Sequence, residues 1–323
     1  MVIGVVSSTA EEPGPSDEGN PDGSPGPSVS DPERVPARSG PPLPGVVPIA
    51  LSAVMVLSIA ALFVALFAFG LSGFQEQRSQ HQLYATFRGL VDPASIIAPK
   101  IGGDIPAGYP VALVNAPSVG MHNVMVVEGT SSGTLLDGPG HLRNTPLPGQ
   151  PGEPVLMGKG VTAGAPFGAV NRLHKGDVVT VLTGQGTFRY VVGGRLAPGA
   201  VPPSIRSDQS LLVLVTSSGS GGLSGVVPDH LTYVDAKLEG KVVPAPHGRP
   251  RAVTTAELPG HIEAGAWPFV VLWLLALGVG SVLFWRLWAY WGLLRTWLIG
   301  APVLVAILWG LSNEAMRLVP NVY

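Results

Sequence analysis

The chain has 323 residues, of which 46% are hydrophobic and only 12% charged, with a formal net charge of −2. Soluble proteins carry about twice that charged fraction, and so neutral a balance argues against nucleic acid as a principal partner, because phosphate binding needs clustered basic residues. The absence of cysteine excludes disulfides, thiolate metal sites and a cysteine nucleophile.

Residues 1–45 hold ten prolines, seven acidic residues and two arginines. Large aliphatic residues are sparse, so this stretch buries too little apolar surface to offset the entropy of ordering, and it reads as a disordered cytoplasmic tail. No charge occurs from Val46 to Leu71. As a helix this run is about 39 Å long, enough to cross a hydrocarbon core of about 30 Å, and it reads as an uncleaved anchor at 46–71. A stalk is expected at 72–109.

Apolar residues dominate again at 264–285 and 296–312, giving two further spans, with a Trp/Tyr cluster suited to a membrane interface. Pro302 is tolerated in such a helix because neighbouring helices re-satisfy the freed carbonyl. Arg286 and Arg295 are the charges between the two spans, which assigns the 286–295 loop to the cytoplasm and places the segment between the first two spans outside. A Pro/Gly-rich linker at 244–263 precedes the hairpin, and a tail follows at 313–323. Gly278/Gly280 and Gly300/Ala301 are small-residue patches of the kind that pack membrane helices, here offered to another membrane protein.

Between the anchors, short β-rich runs appear at 110–115, 124–129, 154–158, 177–183, 187–192, 211–216 and 231–238, separated by Gly, Pro, Asp and Ser. Such spacing indicates an all-β sandwich or barrel, here spanning 110–243. The alternating pair around GQG at 184–186 reads as a hairpin. Residues 168–174 suit a short helix or turn.

From Glu128 the sequence runs EGTSSGTLLDGPGHLRNTPLPGQPGEPVLMGKGVTAGAPFGAVNRL, then HKGDVVTVLTGQGTFRYVV and later LLVLVTSS. The order of EGTS, GPGH, LPGQPG, GAPF and the RL-x-x-GD turn resembles the sortase family, in particular actinobacterial sortases of the class E kind. The resemblance implies a mainly β fold: a closed sortase-like barrel, here carried with three transmembrane helices on a bacterial cytoplasmic membrane. It also implies cysteine transpeptidase chemistry that cuts a sorting signal and joins it to an amine.

At the family's three catalytic positions the residues differ. Lys159 stands in GKG where the family has His, Ser217 follows LLVLVT where it has Cys, and His230, or Asp229, holds the approximate place of the Arg. A thiolate is intrinsically nucleophilic, whereas a serine hydroxyl needs an adjacent base. The expected function is therefore a catalytically degenerate binding or scaffold module for a peptide or cell-surface protein. The alternative is a transpeptidase or hydrolase built on a Ser217–Lys159 pair, which requires a buried Lys159; the glycine-rich turn around it points to exposure. His141 is expected to make a structural hydrogen bond. His122 and His174 lack metal-ligand spacing, and Glu128, Asp137 and Asp177 are expected to cap turns. Neither a cofactor nor a metal is implied.

Overall fold

The structure, a computed structural model, describes residues 45–92, 99–196, 206–219 and 230–323. The expected disordered tail lies, except for Gly45, outside the described residues. Two units are distinguished, 1–48 and 49–323; the described part of the first is the opening turn of a helix, and the second holds everything that follows.

The helix α1 (Val46–Leu66) passes through a π-helical turn, Phe67–Leu71, directly into α2 (Ser72–Val91). Lack of charge carries α1 through the apolar run, and its one proline, Pro48, lies in the first turn, where a missing N–H costs no helical hydrogen bond. Beyond it the chain turns amphipathic, and Phe87 of α2 buries against Leu113 and Met125 of the barrel. Gln80 fastens this contact: its Oε1 accepts from Met125 N (2.7 Å) and its Nε2 donates to Met125 O and Asp137 O (3.1 Å each). The stretch after the first span thus begins as a rigid helix laid on the barrel.

The barrel strands are β1 (Pro110–Ala116), β2 (Met121–Glu128), β3 (Gly140–His141), β4 (Val155–Met157), β5 (Val178–Thr183), β6 (Gly186–Leu196), β7 (Leu211–Ser218) and β8 (His230–Glu239). They close in the order β1-β2-β3-β4-β7-β8-β6-β5. The pairs β2–β3 and β4–β7 are parallel and the other named pairs antiparallel. Alternation in β5 and β6 sends Val179, Val181, Phe188, Tyr190 and Val192 inward, as a half-buried strand requires. The β5–β6 register closes at Thr183 and Gly186 across a two-residue turn. Strand β7 is different: Leu211 through Ser217 are all buried. Leu212 and Leu214 enter the barrel core, while Val213 and Val215 face a second cluster with Leu135, Met157 and Val322. A strand whose run Leu211–Val215 is apolar at every position needs cover on both faces.

Helices α3 (Trp267–Trp291) and α4 (Leu293–Arg317) form an antiparallel hairpin, and among the described residues three helices are long and apolar enough to cross a membrane. The expected 286–295 loop is not a loop. Arg286 and Arg295 both lie in helix, and the chain reverses at Gly292 alone, whose φ of +80° suits glycine. Arginine favours helix nearly as well as leucine, so the two charges do not end the regular structure.

The small-residue patches are partly spent inside the hairpin. A Cβ on Gly300 would stand 2.4 Å from the Phe284 ring, and one on Gly280 would lie 3.2 Å from Ile307. Ala60 of α1 joins Val270, Leu277, Leu308 and Leu311 in one cluster, so the three helices pack together. Phe67, Ala68 and Met316 then meet Leu136 and Ala163 of the barrel. The barrel and the end of α4 share one end of the helix bundle, and the Gly292 turn lies at the other.

Candidate functional site

The parallel pairing of β4 with β7, with Met157 opposite Val215, brings the ends of these two strands together. Past that pair Gly158 N donates to Val215 O at 3.0 Å, and Lys159 enters the interior. A Cβ on Gly158 would stand 2.5 Å from the Phe167 ring, and one on Gly160 would stand 2.4 Å from the Ser217 carbonyl oxygen. The glycines of GKG therefore serve close packing. This corrects the expectation of an exposed lysine: Lys159 is fully buried.

Burial pushes the Lys159 amine down from its ordinary 10.5 to about 7, because desolvation penalises the charged form. Its partner is Ser132 Oγ at 3.5 Å, a long contact. The Ser132 hydroxyl is in turn directed at Met316 O (2.9 Å) and Val319 O (2.8 Å).

Ser217, also buried, donates its hydroxyl to Val322 O at 2.8 Å. Gly160 N donates to the same oxygen at 3.1 Å. The two donors form a cradle for one carbonyl. The neighbouring Thr216 hydroxyl is buried with no hydrogen-bond partner among the described residues. His230 lies opposite Ser218 in the β7–β8 register, and its Nε2 is 2.8 Å from Ser218 Oγ on the exposed rim. Asp229, the other position considered, lies outside the described residues, as does most of the glycine/serine run after Ser218. The fold therefore gathers Lys159, Ser217 and His230 at one end of the barrel, while directing each side chain to a different partner.

A cleft of about 340 Å³ opens beside Ser217, lined also by Gly160, Val161, Ala165, Gly168, Asn171 and Ser218. Its wall includes a strained turn: Ala163, Gly164 and Ala165 all have positive φ (51°, 72° and 48°), a conformation that costs energy for alanine.

Of the other expected residues, His141 makes structural bonds: Nδ1 lies 3.0 Å from Glu128 Oε2 and Nε2 lies 2.8 Å from Pro146 O. Glu128 does not cap a turn. It ends β2 fully buried, and its other oxygen accepts from Arg249 Nη1 at 2.5 Å. Its place in the GT-containing run suggested a turn, but 121 residues separate it in sequence from the cation that fixes it. Asp177 accepts from His174 N (2.9 Å), and Asp137 accepts from Ser79 Oγ (2.8 Å) on α2.

Sequence reasoning missed the residues after α4. Asn321 and Val322 are completely buried against the barrel, and the one signal available was the unbroken apolar run Leu211–Val215 of β7, whose outer face required a cover.

Residues 114–218, which run from β1 to β7, match the family described as Sortase domain. Similar solved structures include sortase E from Streptomyces avermitilis, 29% identical over 42% of this chain and 92% of that one, with a TM-score of 0.36. SrtF sortase from Corynebacterium diphtheriae is 21% identical over 45% and 92% of the two chains, with a TM-score of 0.38. A Clostridium perfringens sortase D5 transpeptidase is 24% identical over 42% and 83%, with a TM-score of 0.35. No curated protein matches the chain.

Proposed function

We propose that this protein is a membrane-anchored sortase-fold module, facing outward from the cytoplasmic membrane, that holds a peptide or cell-surface protein segment without cutting it. Sortase domains are typically those of transpeptidases, and a transpeptidase needs a nucleophile aimed at a carbonyl carbon. Here the hydroxyl at the nucleophile position is a donor to a carbonyl oxygen, Ser217 Oγ to Val322 O. That single contact carries the reading, because a hydroxyl used as a donor in a carbonyl cradle is not poised to attack. The base position supports it: Lys159 points to Ser132, not to Ser217. The outward orientation is supported by Arg286 and Arg295, which flank the Gly292 turn at the end of the helices away from the barrel.

One observation favours the second reading, a Ser217–Lys159 enzyme. An amine brought to about 7 by burial is a competent general base at neutral pH. One assay separates the two. Full-length protein in detergent is incubated with a sorting-signal peptide and an amine acceptor, and the peptide is followed by mass spectrometry. The expected result is peptide recovered intact. Turnover that disappears in Ser217→Ala overturns the binding reading, and a rate rising with pH through about 7 assigns the base to Lys159.

A further inference from the structure

The segment that follows α4, residues 318–323, is bound like a ligand. Asn321 is completely enclosed, and its side-chain amide is read on both sides. Nδ2 donates to Thr130 O (2.7 Å) and Leu258 O (3.0 Å), and Oδ1 accepts from Gly260 N at 2.9 Å. Its backbone N donates to His261 O at 3.0 Å. Val322 fills an apolar socket with Leu135, Met157, Val213 and Val215. The main chain is gripped as well: Val322 O by Gly160 N and Ser217, and Tyr323 O by the Thr162 hydroxyl at 2.5 Å. Backbone bonds that supply affinity, with side-chain pockets that supply selectivity, are how grooves recognise extended peptides.

The anchoring of this segment also has a definite origin. Arg317, the last residue of α4, pairs with Glu263 (Nη2–Oε1 2.5 Å), and that guanidinium holds the Glu263 carboxyl below its ordinary range. Glu263 precedes α3 and accepts from Gly133 N at 3.3 Å. The segment is thus delivered to the groove by a helix end clamped to the barrel.

We propose that residues 318–323 are a tethered peptide ligand occupying a groove at the ends of β4 and β7, and that the exchangeable ligand of this groove is an extended peptide from another polypeptide carrying an Asn followed by a β-branched residue. The amide pocket demands the Asn, since aspartate would place a charge against Thr130 O and Leu258 O, and an apolar residue would leave those carbonyls and Gly260 N unpaired in a dry site. The socket formed by Leu135, Met157, Val213 and Val215 takes a valine-sized group. A short tether holds its ligand at an effective concentration on the order of millimolar, so the segment also screens out weak or mismatched peptides. The inference concerns what occupies the groove and holds whether the cleft binds or cuts; turnover in the assay above would overturn the proposed function and leave this one standing.

The test uses the full chain in detergent and a fluorescent, end-capped hexapeptide of sequence LVPNVY, followed by anisotropy. Asn321→Ala frees the groove, and the variant is expected to bind the hexapeptide about tenfold or more tighter than the unaltered protein. A hexapeptide with Ala in place of Asn is expected to bind neither. Equal affinity of variant and unaltered protein, or equal binding of the two hexapeptides, overturns the proposal. A second measurement covers a variant that does not fold. The chain has no cysteine, so Val322→Cys introduces a single thiol for maleimide labelling. Labelling is expected to be far slower than in Glu239→Cys, an exposed site, and to accelerate when unlabelled hexapeptide is added in excess. Labelling as fast as at the exposed site, or unmoved by the peptide, overturns the proposal.

Discussion

Replacing Lys159 with methionine tests the burial of its amine through the pH dependence of stability. Methionine keeps the length of the side chain and removes the charge, at the loss of the long 3.5 Å contact to Ser132. In the folded protein the amine titrates near 7, against 10.5 when unfolded. Between these values the unfolded chain binds more protons, so stability rises with pH across the window. Below about pH 7 both states hold the proton and the full penalty is present; above it the penalty is relieved by up to about 1.4 kcal/mol per pH unit. From pH 7 to pH 9 the lysine protein is therefore expected to gain roughly 2 kcal/mol relative to Lys159→Met. At pH 7 the variant is the more stable of the two. Urea unfolding of both proteins in detergent, followed by hydrogen–deuterium exchange of peptides from the barrel, gives the difference at each pH. All seven tryptophans lie between 267 and 309, so their fluorescence reports on the helices instead. Other titrating groups are common to both proteins and cancel. A difference that stays constant from pH 7 to 9 refutes a buried, neutralised lysine.

Two further perturbations probe the frame around the site. Glu128→Gln leaves Arg249 buried without its counter-charge and is expected to cost about 3–5 kcal/mol in the same urea assay, whereas Glu239→Gln, in an exposed pair with Arg189, costs less than about 1 kcal/mol; equal effects would mean the Glu128 pair is hydrated. In the hairpin, Gly300→Leu drives a side chain into the Phe284 ring, and a loss of about 1–3 kcal/mol is expected. Gly278→Ala, with open space around its Cβ position, leaves the melting temperature of the helices unchanged by tryptophan fluorescence; parallel behaviour of the two variants would refute the packing seen between α3 and α4.

Much of this protein was determined by local sequence. The charge-free run at 46–71 and the two later apolar blocks are enough to define membrane-length helices, because length and hydropathy act along the chain without reference to distant residues. Alternation over 178–183 and 187–192, with GQG between, specifies a hairpin for the same reason. The barrel itself was legible through the ordered turn motifs from Glu128 to Asp177. Strand β3 was not, since two residues carry no period.

The site was decided in three dimensions. Lys159 sits between two glycines, a pattern that locally means a turn; its burial comes from Ser132 and from the end of α4, more than 150 residues further along the chain. Glu128 becomes half of a buried ion pair only because Arg249 folds back onto it. The unbroken apolar run Leu211–Val215 of β7 shows that its outer face must be covered, but hydrophobicity is non-directional and names no cover. Asn321 and Val322 supply it because the hairpin returns the chain to the barrel, and hydrogen bonds to Thr130, Gly160 and Ser217 then fix the segment in place.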